Sequence, residues 1–366
     1  MKKAKASVYR CSSCGHEETK WLGRCPECGE WNTLTESAVS AAELRVSGRA
    51  RSLPLSSVDR EEGGRISSGM SELDRVLGGG IMKRSAVLLG GEPGIGKSTL
   101  LLLASARAAT KGRVLYISAE ESAGQVRTRA DRLGLAGADI DRIEICCTGR
   151  LEDILVLLDA VKPVLIMADS AQTLHTDAAG PSPGTVNQMK FCSYELVSWA
   201  KEHDAALFLA AHVTKDGIIS GPKTLEHMVD TVLYFEQGES GGAAGDCRFL
   251  RAVKNRFGSV DEIGIFTMEE KGLVMVEDPS SLFLVRREGA LPAGIAIAAV
   301  IEGTRTLLVE IQALTVPAKG AVSRVFSLAV ESGRVSRVAA ALEKHLGLRL
   351  SDHDIYVNVA GGIRIA

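Results

Sequence analysis

Runs of apolar residues alternate with helix-like segments through the middle of the chain, from about residue 61 to 275. Four of the runs are almost continuously apolar, which is typical of strands that are buried on both faces of a sheet. Strands that alternate with helices predict a mostly parallel α/β sheet covered on both sides. The four runs are AVLLGG at 86–91, RVLYISAE at 113–120, PVLIMADS at 163–170 and AALFLAAH at 205–212.

The pattern differs on both sides of this region. After Pro279, the sequence AGIAIAAVIEGTRTLLVEIQALTV predicts two strands joined by a Glu-Gly-Thr turn, and a helix over 334–347 and a strand at DIYVNVAGG follow. We therefore expect a third unit of α+β type over 276–366. Residues 36–60 are rich in Ser, Ala and Arg with weak periodicity, which predicts a linker behind a Cys- and Trp-rich segment at 1–35.

Composition and charge narrow the class of protein. The 366 residues are 45% hydrophobic and 24% charged, which is typical of a globular protein of two or three domains. A net charge of -2 excludes a uniformly basic nucleic-acid coat but not a local basic surface. The basic N terminus has no apolar stretch behind it, and the run at 291–301 is shorter than the roughly 18 residues that a membrane span needs. We expect a soluble, cytoplasmic protein with reduced thiols and no membrane contact.

Four of the eight cysteines form two Cys-x-x-Cys pairs near the N terminus. Each pair turns tightly enough to direct two thiolates at one ion, so two pairs complete a tetrahedral site that suits Zn²⁺. A segment of about 30 residues buries too little core to fold alone, so the metal would supply folding free energy. We predict a closed, structural zinc ribbon; a redox pair is the alternative. The predicted ligands are Cys11, Cys14, Cys25 and Cys28, whereas Cys146, Cys147, Cys192 and Cys247 are expected to be buried.

The segment GEPGIGKS at 91–98 matches the phosphate-loop pattern GxxxxGK[ST], between the run AVLLGG and the helical pattern TLLLLASARAAT. Glycines let the backbone amides surround a phosphate, and the helix N terminus adds partial positive charge. The pattern predicts an ATP site in which Lys97 reaches the β- and γ-phosphates and Ser98 binds Mg²⁺. The predicted nucleotide-binding residues are Gly91, Glu92, Pro93, Gly94, Ile95, Gly96, Lys97, Ser98 and Thr99.

Carboxylates end two of the other predicted strands. Asp169 ends the run VLIMAD, where a carboxylate faces the Mg²⁺ beside a phosphate loop; a turn residue is the alternative. Glu120 and Glu121 follow the run RVLYISA, and we expect one of them to be the base that deprotonates the attacking water. The alternative is that both carboxylates only cap the next helix.

The order of these motifs resembles the RecA-like ATPases, and SGMSELDRVLGGGI at 68–81 resembles their lead-in to the phosphate loop. Several features together resemble the RadA family of bacterial DNA repair proteins, also called Sms, from residue 8 to the end. They are the four-cysteine ribbon, the loop GEPGIGKSTLL, and the segments AHVTKDG at 211–217, GPKTLEHMVDTVLYFE at 221–236 and KNRFG at 254–258.

The resemblance implies roles for single residues. It matches Glu120 to the catalytic glutamate and His212 to a γ-phosphate sensor at a strand end, where a core histidine would otherwise be expected. It matches Lys254 and Arg256 to basic residues that reach the γ-phosphate bound by a neighbouring subunit; a solvated basic turn is the alternative. The third unit resembles the proteolytic domain of Lon, but no Gly-Pro-Ser-Ala-Gly nucleophile context occurs in 276–366. We expect a non-proteolytic scaffold, and an incomplete one, because the family's domain continues past VNVAGGIRIA.

The resemblance also implies the function. We expect a DNA-stimulated ATPase that forms a homohexameric ring on single-stranded and branched DNA. It would drive branch migration and extend the heteroduplex made by a recombinase filament. The loops at 176–190 and 214–223, with Lys215 and Lys223, are expected to contact DNA phosphates without reading bases. An ATP-dependent protease and an ATP-gated adaptor that hydrolyses little are the alternatives.

Overall fold

The structure is a computed structural model whose chain divides into two compact units, residues 1–59 and 60–366. In the part that it describes, no helix is long and apolar enough to cross a membrane. Cys14, Cys28 and the predicted DNA-contact loop at 214–223 lie outside the described residues. The described residues are 8–11, 17–18, 20–26, 29–37, 54, 56, 64–137, 140–180, 183–213, 224–238, 247–285, 287–320, 322–360 and 365.

The first unit contains a small antiparallel sheet of β1 (Val8–Cys11), β2 (Glu17–Glu18) and β3 (Leu34–Ser37), with β1 in the middle. Among its described residues, Cys11, Cys25 and Leu34 form a buried core, with Tyr9 packed against them. Cys11 and Cys25 are two of the predicted zinc ligands.

The second unit is organised around a nine-stranded sheet. Its order begins with β14 (Gly272–Met275), β13 (Ile263–Glu269) and β12 (Cys247–Asn255) and continues as β11-β6-β10-β9-β7-β8, with the ranges of these six strands given below. A short hairpin, β4 (Arg65–Ile66) and β5 (Ile81–Met82), encloses α1 (Ser71–Val76) before the sheet begins. The four predicted strands all lie in the parallel part, so the mostly parallel sheet is confirmed. The parallel strands are β6 (Ala86–Gly91), β7 (Val114–Ser118), β8 (Ile143–Cys146), β9 (Leu165–Asp169), β10 (Ala206–His212) and β11 (Thr231–Gln237).

Helices cover both faces of this sheet, and the strand residues alternate between them. On β6, Val87 and Leu89 pack in the layer of α1, α2 and α3, whereas Ala86 and Leu88 pack in the layer of α4, α5 and α6. All six residues of β6 are buried, which explains why the run showed no polar alternation. The helices are α2 (Lys97–Ala108), α3 (Ala123–Arg132), α4 (Leu151–Val161), α5 (Val186–Glu202) and α6 (Thr224–Met228).

Antiparallel strands extend the sheet beyond β11, and a second, four-stranded sheet follows in the order β15-β16-β18-β17. The predicted Glu-Gly-Thr hairpin is formed by β15 and β16, the predicted helix is α8, and the predicted final strand is β18. These elements are β12 (Cys247–Asn255), β13 (Ile263–Glu269), β14 (Gly272–Met275), α7 (Ser280–Phe283), β15 (Ile295–Glu302), β16 (Arg305–Pro317), β17 (Val325–Ser327), α8 (Ser332–Leu346) and β18 (His353–Val359).

The prediction that all four remaining cysteines are buried is wrong for one of them. Cys146, Cys192 and Cys247 are buried, but Cys147 is exposed. Cys147 follows the last residue of β8, which forms one edge of the sheet. The chain leaves the sheet after this edge strand, so the residue that follows it need not be buried.

The four-stranded sheet packs on the antiparallel end of the large sheet. Ile263 and Ile265 of β13 share one apolar cluster with Leu307 and Val309 of β16. Beside this cluster, Arg305 donates two hydrogen bonds to the buried carboxylate of Glu72 in α1, at 2.8 and 2.5 Å. The Ile265 amide donates to the same carboxylate at 2.9 Å. One buried charge therefore ties α1, β13 and β16 together.

We predict that Arg305→Ala lowers the free energy of unfolding by about 3 kcal/mol, because it leaves the Glu72 carboxylate buried without its cation. The side chains of Arg305 and Glu72 are only 16% and 3% exposed. Urea unfolding followed by circular dichroism measures the change. Arg127→Ala is the control, since it removes an ion pair whose side chains are 60% and 56% exposed and is expected to change the value by less than about 0.5 kcal/mol. Equal effects of both variants would contradict the role of Arg305.

Candidate functional site

The phosphate-loop segment joins the end of β6 to the start of α2 and is packed on one side only. A Cβ atom at Gly91 would lie 2.8 Å from the Phe235 carbonyl oxygen, and one at Gly96 would lie 2.8 Å from Met268 Cε. Gly96 has a φ of 115° and Gly94 a φ of 80°, values that favour glycine. A Cβ at Gly94 would meet no atom within 4 Å. The loop is therefore supported from behind and open in front, as binding of a phosphate chain requires.

Lys97 is buried at the first residue of α2 and points back over the loop. Its Nζ donates to the carbonyl oxygens of Gly91 at 2.7 Å and Glu92 at 3.0 Å, and lies 3.3 Å from His212 Nδ1. Burial lowers the pKa of Lys97, and the charges of Asp169 and Glu120 oppose that shift. The ammonium group thus donates to neutral carbonyl oxygens. The charged oxygens of a phosphate would be stronger acceptors and could take their place.

The two predicted magnesium ligands lie in the same cleft, at the ends of different elements. Asp169 is buried at the end of β9, and Ser98 is the second residue of α2. The Tyr116 hydroxyl donates to Asp169 Oδ2 at 3.1 Å and lies 3.5 Å from the Ser98 carbonyl oxygen. A carboxylate and a hydroxyl are oxygen donors of the kind that Mg²⁺ prefers, so these residues fit the ion.

The phenol of Tyr116 acts as a donor in this arrangement. Burial raises the pKa of Tyr116 well above its ordinary value, and the adjacent charge of Asp169 raises it further. The phenol therefore stays protonated at neutral pH and can donate a hydrogen bond to the carboxylate.

The two neighbouring glutamates, which the sequence does not distinguish, have different partners. Glu121 accepts two hydrogen bonds from Arg129 of α3, both at 2.6 Å, in a bidentate ion pair. Glu120 Oε1 accepts a hydrogen bond from Ser170 Oγ at 2.5 Å and lies 3.4 Å from His212 Nε2. The carboxylate of Glu121 is thus paired with Arg129, whereas the carboxylate of Glu120 is directed towards His212 and the phosphate loop.

These residues line one cleft of about 470 Å³. A larger groove, of about 1210 Å³, lies on the four-stranded sheet, but the loop and the carboxylates line the smaller one. Sequence reasoning missed Tyr116 and Ser170, because one lies within an apolar run and the other follows Asp169. A tyrosine in a fully buried strand was the available signal, since its hydroxyl needs a partner. The lining residues are Pro93, Gly94, Gly96, Lys97, Ser98, Thr99, Ser118, Glu120, Glu121, Arg129, Arg132, Asp169, His212 and Met268.

Lys254 of β12 lies away from this cleft. Its Nζ donates to the carbonyl oxygens of Glu226 and Val229, both at 2.7 Å, at the end of α6. Burial lowers the pKa of Lys254, and the positive charge of Arg256 lowers it further. In this conformation Lys254 stabilises the end of a helix.

Arg256 lies near the amino ends of the parallel strands, whereas the phosphate loop lies at their carboxyl ends. Its Nη1 is 3.0 Å from Oδ1 of Asp230, and Oδ2 of Asp230 accepts a hydrogen bond from the Ala86 amide at 3.1 Å. Ala86 begins β6 and Gly91 ends it, so these two residues are five steps of about 3.3 Å apart, or about 17 Å. Arg256 therefore lies too far from the phosphate loop to contact a phosphate bound there.

The predicted zinc site is described in part. Cys11 and Cys25 are buried in one core, and Cys11 Sγ lies 3.2 Å from Thr33 Oγ1. The Gly29 amide donates a hydrogen bond to the Cys25 carbonyl oxygen at 2.9 Å. Within the described residues, no group of three or more His, Cys, Asp and Glu side chains is placed to hold a metal. Two buried thiols in one core fit a thiolate-bound Zn²⁺.

One of the two predicted DNA-contact loops is mostly described. The buried side chain of Gln188 donates to the Thr176 carbonyl oxygen at 2.8 Å and to that of Gly180 at 2.5 Å. Its Oε1 accepts a hydrogen bond from the Thr176 amide at 2.8 Å. These bonds anchor the loop to the start of α5.

Comparison with known proteins gives consistent matches along the chain. The profile of the rubredoxin metal binding domain matches residues 9–36, and that of the AAA domain matches residues 50–217. DNA repair protein RadA of Treponema pallidum (strain Nichols) is 53% identical over 100% of this chain and 79% of the relative. DNA repair protein RadA of Brucella abortus (strain 2308) is 46% identical over 98% of the chain and 78% of the relative. That of Bacillus subtilis (strain 168) is 43% identical over 98% and 79%.

These identities over nearly the whole chain agree with the phosphate loop, the mostly parallel sheet and the cysteine ribbon described above. The chain belongs to the RadA family of DNA repair proteins.

Proposed function

We propose that this protein is a DNA-stimulated ATPase of DNA repair and homologous recombination. It assembles as a homohexameric ring on single-stranded and branched DNA, drives branch migration and extends the heteroduplex after a recombinase filament has invaded. The observation that carries the ATPase proposal is the cleft in which Lys97, Asp169 and Glu120 converge on the phosphate loop. Membership of a DNA repair family and the AAA domain support the rest.

The residues of the cleft suggest how hydrolysis proceeds. The loop amides and Lys97 bind the β- and γ-phosphates of ATP, while Ser98 and Asp169 hold Mg²⁺, which neutralises charge on the phosphates. Glu120 accepts the proton of the attacking water. Ser170 holds one carboxylate oxygen of Glu120 at 2.5 Å, which leaves the other free to face the water.

His212 connects the phosphate end of the cleft with the proposed base. It lies 3.3 Å from Lys97 Nζ and 3.4 Å from Glu120 Oε1. When Lys97 moves onto a γ-phosphate, this contact changes, so His212 is suited to report ATP to the segment that follows β10. That segment contains the loop at 214–223, for which we propose a role in contacting DNA phosphates with Lys215 and Lys223, together with the loop at 176–190.

We propose the following organisation and cofactors around this site. The cysteine pairs bind one structural Zn²⁺, and the buried positions of Cys11 and Cys25 support this. The ATPase domain covers 61–275 behind a linker at 36–60. Residues 276–366 form a Lon-protease-like scaffold without proteolytic activity, and the protein works in the cytoplasm.

ATP hydrolysis by the full chain, measured with and without single-stranded DNA beside its native mass, tests the proposal. We expect stimulation by DNA, a hexameric mass, and hydrolysis below about 1% of wild type for Lys97→Ala, because the transferring phosphoryl group loses its cation. Unchanged hydrolysis by Lys97→Ala would refute the assignment of the nucleotide site. A monomer without DNA stimulation would refute the motor and favour an adaptor.

We predict that Glu120→Gln and Glu121→Gln differ sharply. Glu120→Gln is expected to lower kcat by about 100-fold or more with ATP binding retained, since an amide cannot accept the water's proton. Glu121→Gln keeps a hydrogen bond to Arg129 and is expected to cost less than about tenfold. Steady-state kinetics and binding of a fluorescent ATP analogue separate the two effects. A larger loss of kcat in Glu121→Gln would reverse the assignment.

We predict that Arg256 acts on the nucleotide of a neighbouring subunit. Arg256→Ala and Lys97→Ala are each expected to be inactive alone, whereas their mixture regains hydrolysis, because some mixed interfaces pair an intact cleft with an intact arginine. Lys201→Ala is the control, since Lys201 also lies 3.3 Å from Asp230 but is not proposed to reach the nucleotide of a neighbouring subunit. Mixtures that stay inactive would indicate that Arg256 has only the structural role seen at Asp230.

A further inference from the structure

The hydroxyl of Tyr116 lies where the two proposed magnesium ligands meet. Tyr116 is fully buried in the middle of β7, in the layer between the sheet and α2. Its oxygen is 3.1 Å from Asp169 Oδ2 and 3.5 Å from the carbonyl oxygen of Ser98. A single hydroxyl thus contacts one proposed ligand directly and the backbone of the other.

Packing alone gives no reason for a hydroxyl at this position. Tyr116 belongs to an apolar cluster that includes residues of β7 and α2, among which a phenylalanine ring would also pack. A buried hydroxyl without a partner is destabilising, so the hydrogen bond to Asp169 is what makes a tyrosine acceptable here.

The hydrogen bond also restricts the carboxylate. A carboxylate can turn about its last torsion, which has a broad energy profile. With Oδ2 held by Tyr116, the rotation of Asp169 is limited and Oδ1 is left for a metal or its bound water. Residues that hold a metal ligand in this way typically change metal affinity by 10- to 100-fold when they are removed.

We propose that Tyr116 is a positioning residue for the magnesium–nucleotide complex, because its hydroxyl holds the Asp169 carboxylate in register with Ser98. The proposal rests on the ATPase function proposed above. Tyr116 itself touches neither nucleotide nor metal, so its removal affects the dependence on Mg²⁺ rather than binding of the nucleotide alone.

Tyr116→Phe in the full chain tests the proposal, because phenylalanine keeps the ring and removes only the hydroxyl. Binding of a fluorescent ADP analogue is measured by titration with Mg²⁺ and, separately, in EDTA. We expect the Mg²⁺ concentration for half-maximal effect to rise about tenfold, with affinity in EDTA within about twofold of wild type. Excess Mg²⁺ is expected to restore kcat, which a general structural defect would not allow.

Tyr234→Phe is the matched control, since it removes a hydroxyl of the same sheet that lies 3.4 Å from Glu226 Oε1 rather than near Asp169. It is expected to leave the Mg²⁺ titration unchanged. An unchanged Mg²⁺ midpoint in Tyr116→Phe, with or without a lower melting temperature, would overturn the role of Tyr116 while the ATPase proposal stands. If the wild-type chain binds no nucleotide at any Mg²⁺ concentration, both proposals fail.

Discussion

The candidate site depends on the alignment of parallel strands that are buried on both faces. Hydrogen bonding places Gly91 beside His212, and Asp169 beside Ser118, at one edge of the sheet. Because parallel strands all run in one direction, their carboxyl ends meet there, and side chains just beyond several of these ends face one cleft. The loop glycines, the carboxylates and His212 come from four strands, yet this alignment alone brings them together.

The antiparallel extension of the sheet gives the site its support and links it to the C-terminal region. Met268 and Leu273, from β13 and β14, lie directly behind Gly96. Ile263 and Ile265, on the other face of β13, pack against the four-stranded sheet. A single strand, β13, thus contacts the phosphate loop on one face and the four-stranded sheet on the other. The buried pair of Glu72 and Arg305 joins α1 to β16 at the same junction.

Two groups of proposed functional residues lie at opposite ends of the parallel strands. The residues proposed for binding and hydrolysis lie at the carboxyl ends of the strands, whereas Arg256 contacts Asp230 at the amino end of β6, about 17 Å away. This separation is compatible with the proposal that Arg256 acts on the nucleotide of a neighbouring subunit. In the single chain, the Arg256 guanidinium is paired with Asp230 and remains 58% exposed at its side chain.

The sequence by itself determined the phosphate loop, the four buried strands, the hairpin of β15 and β16 and the mostly parallel sheet. These follow from local patterns: glycine spacing, continuous apolar runs and strand–helix alternation. Only the tertiary structure decided which of Glu120 and Glu121 faces the loop. That choice depends on Arg129, which pairs with Glu121 from the next helix, and on Ser170, which lies 50 residues after Glu120. It likewise gave Tyr116 its partner and showed Cys147 to be exposed. Such outcomes depend on contacts between segments far apart in the chain, and periodicity carries no information about those contacts.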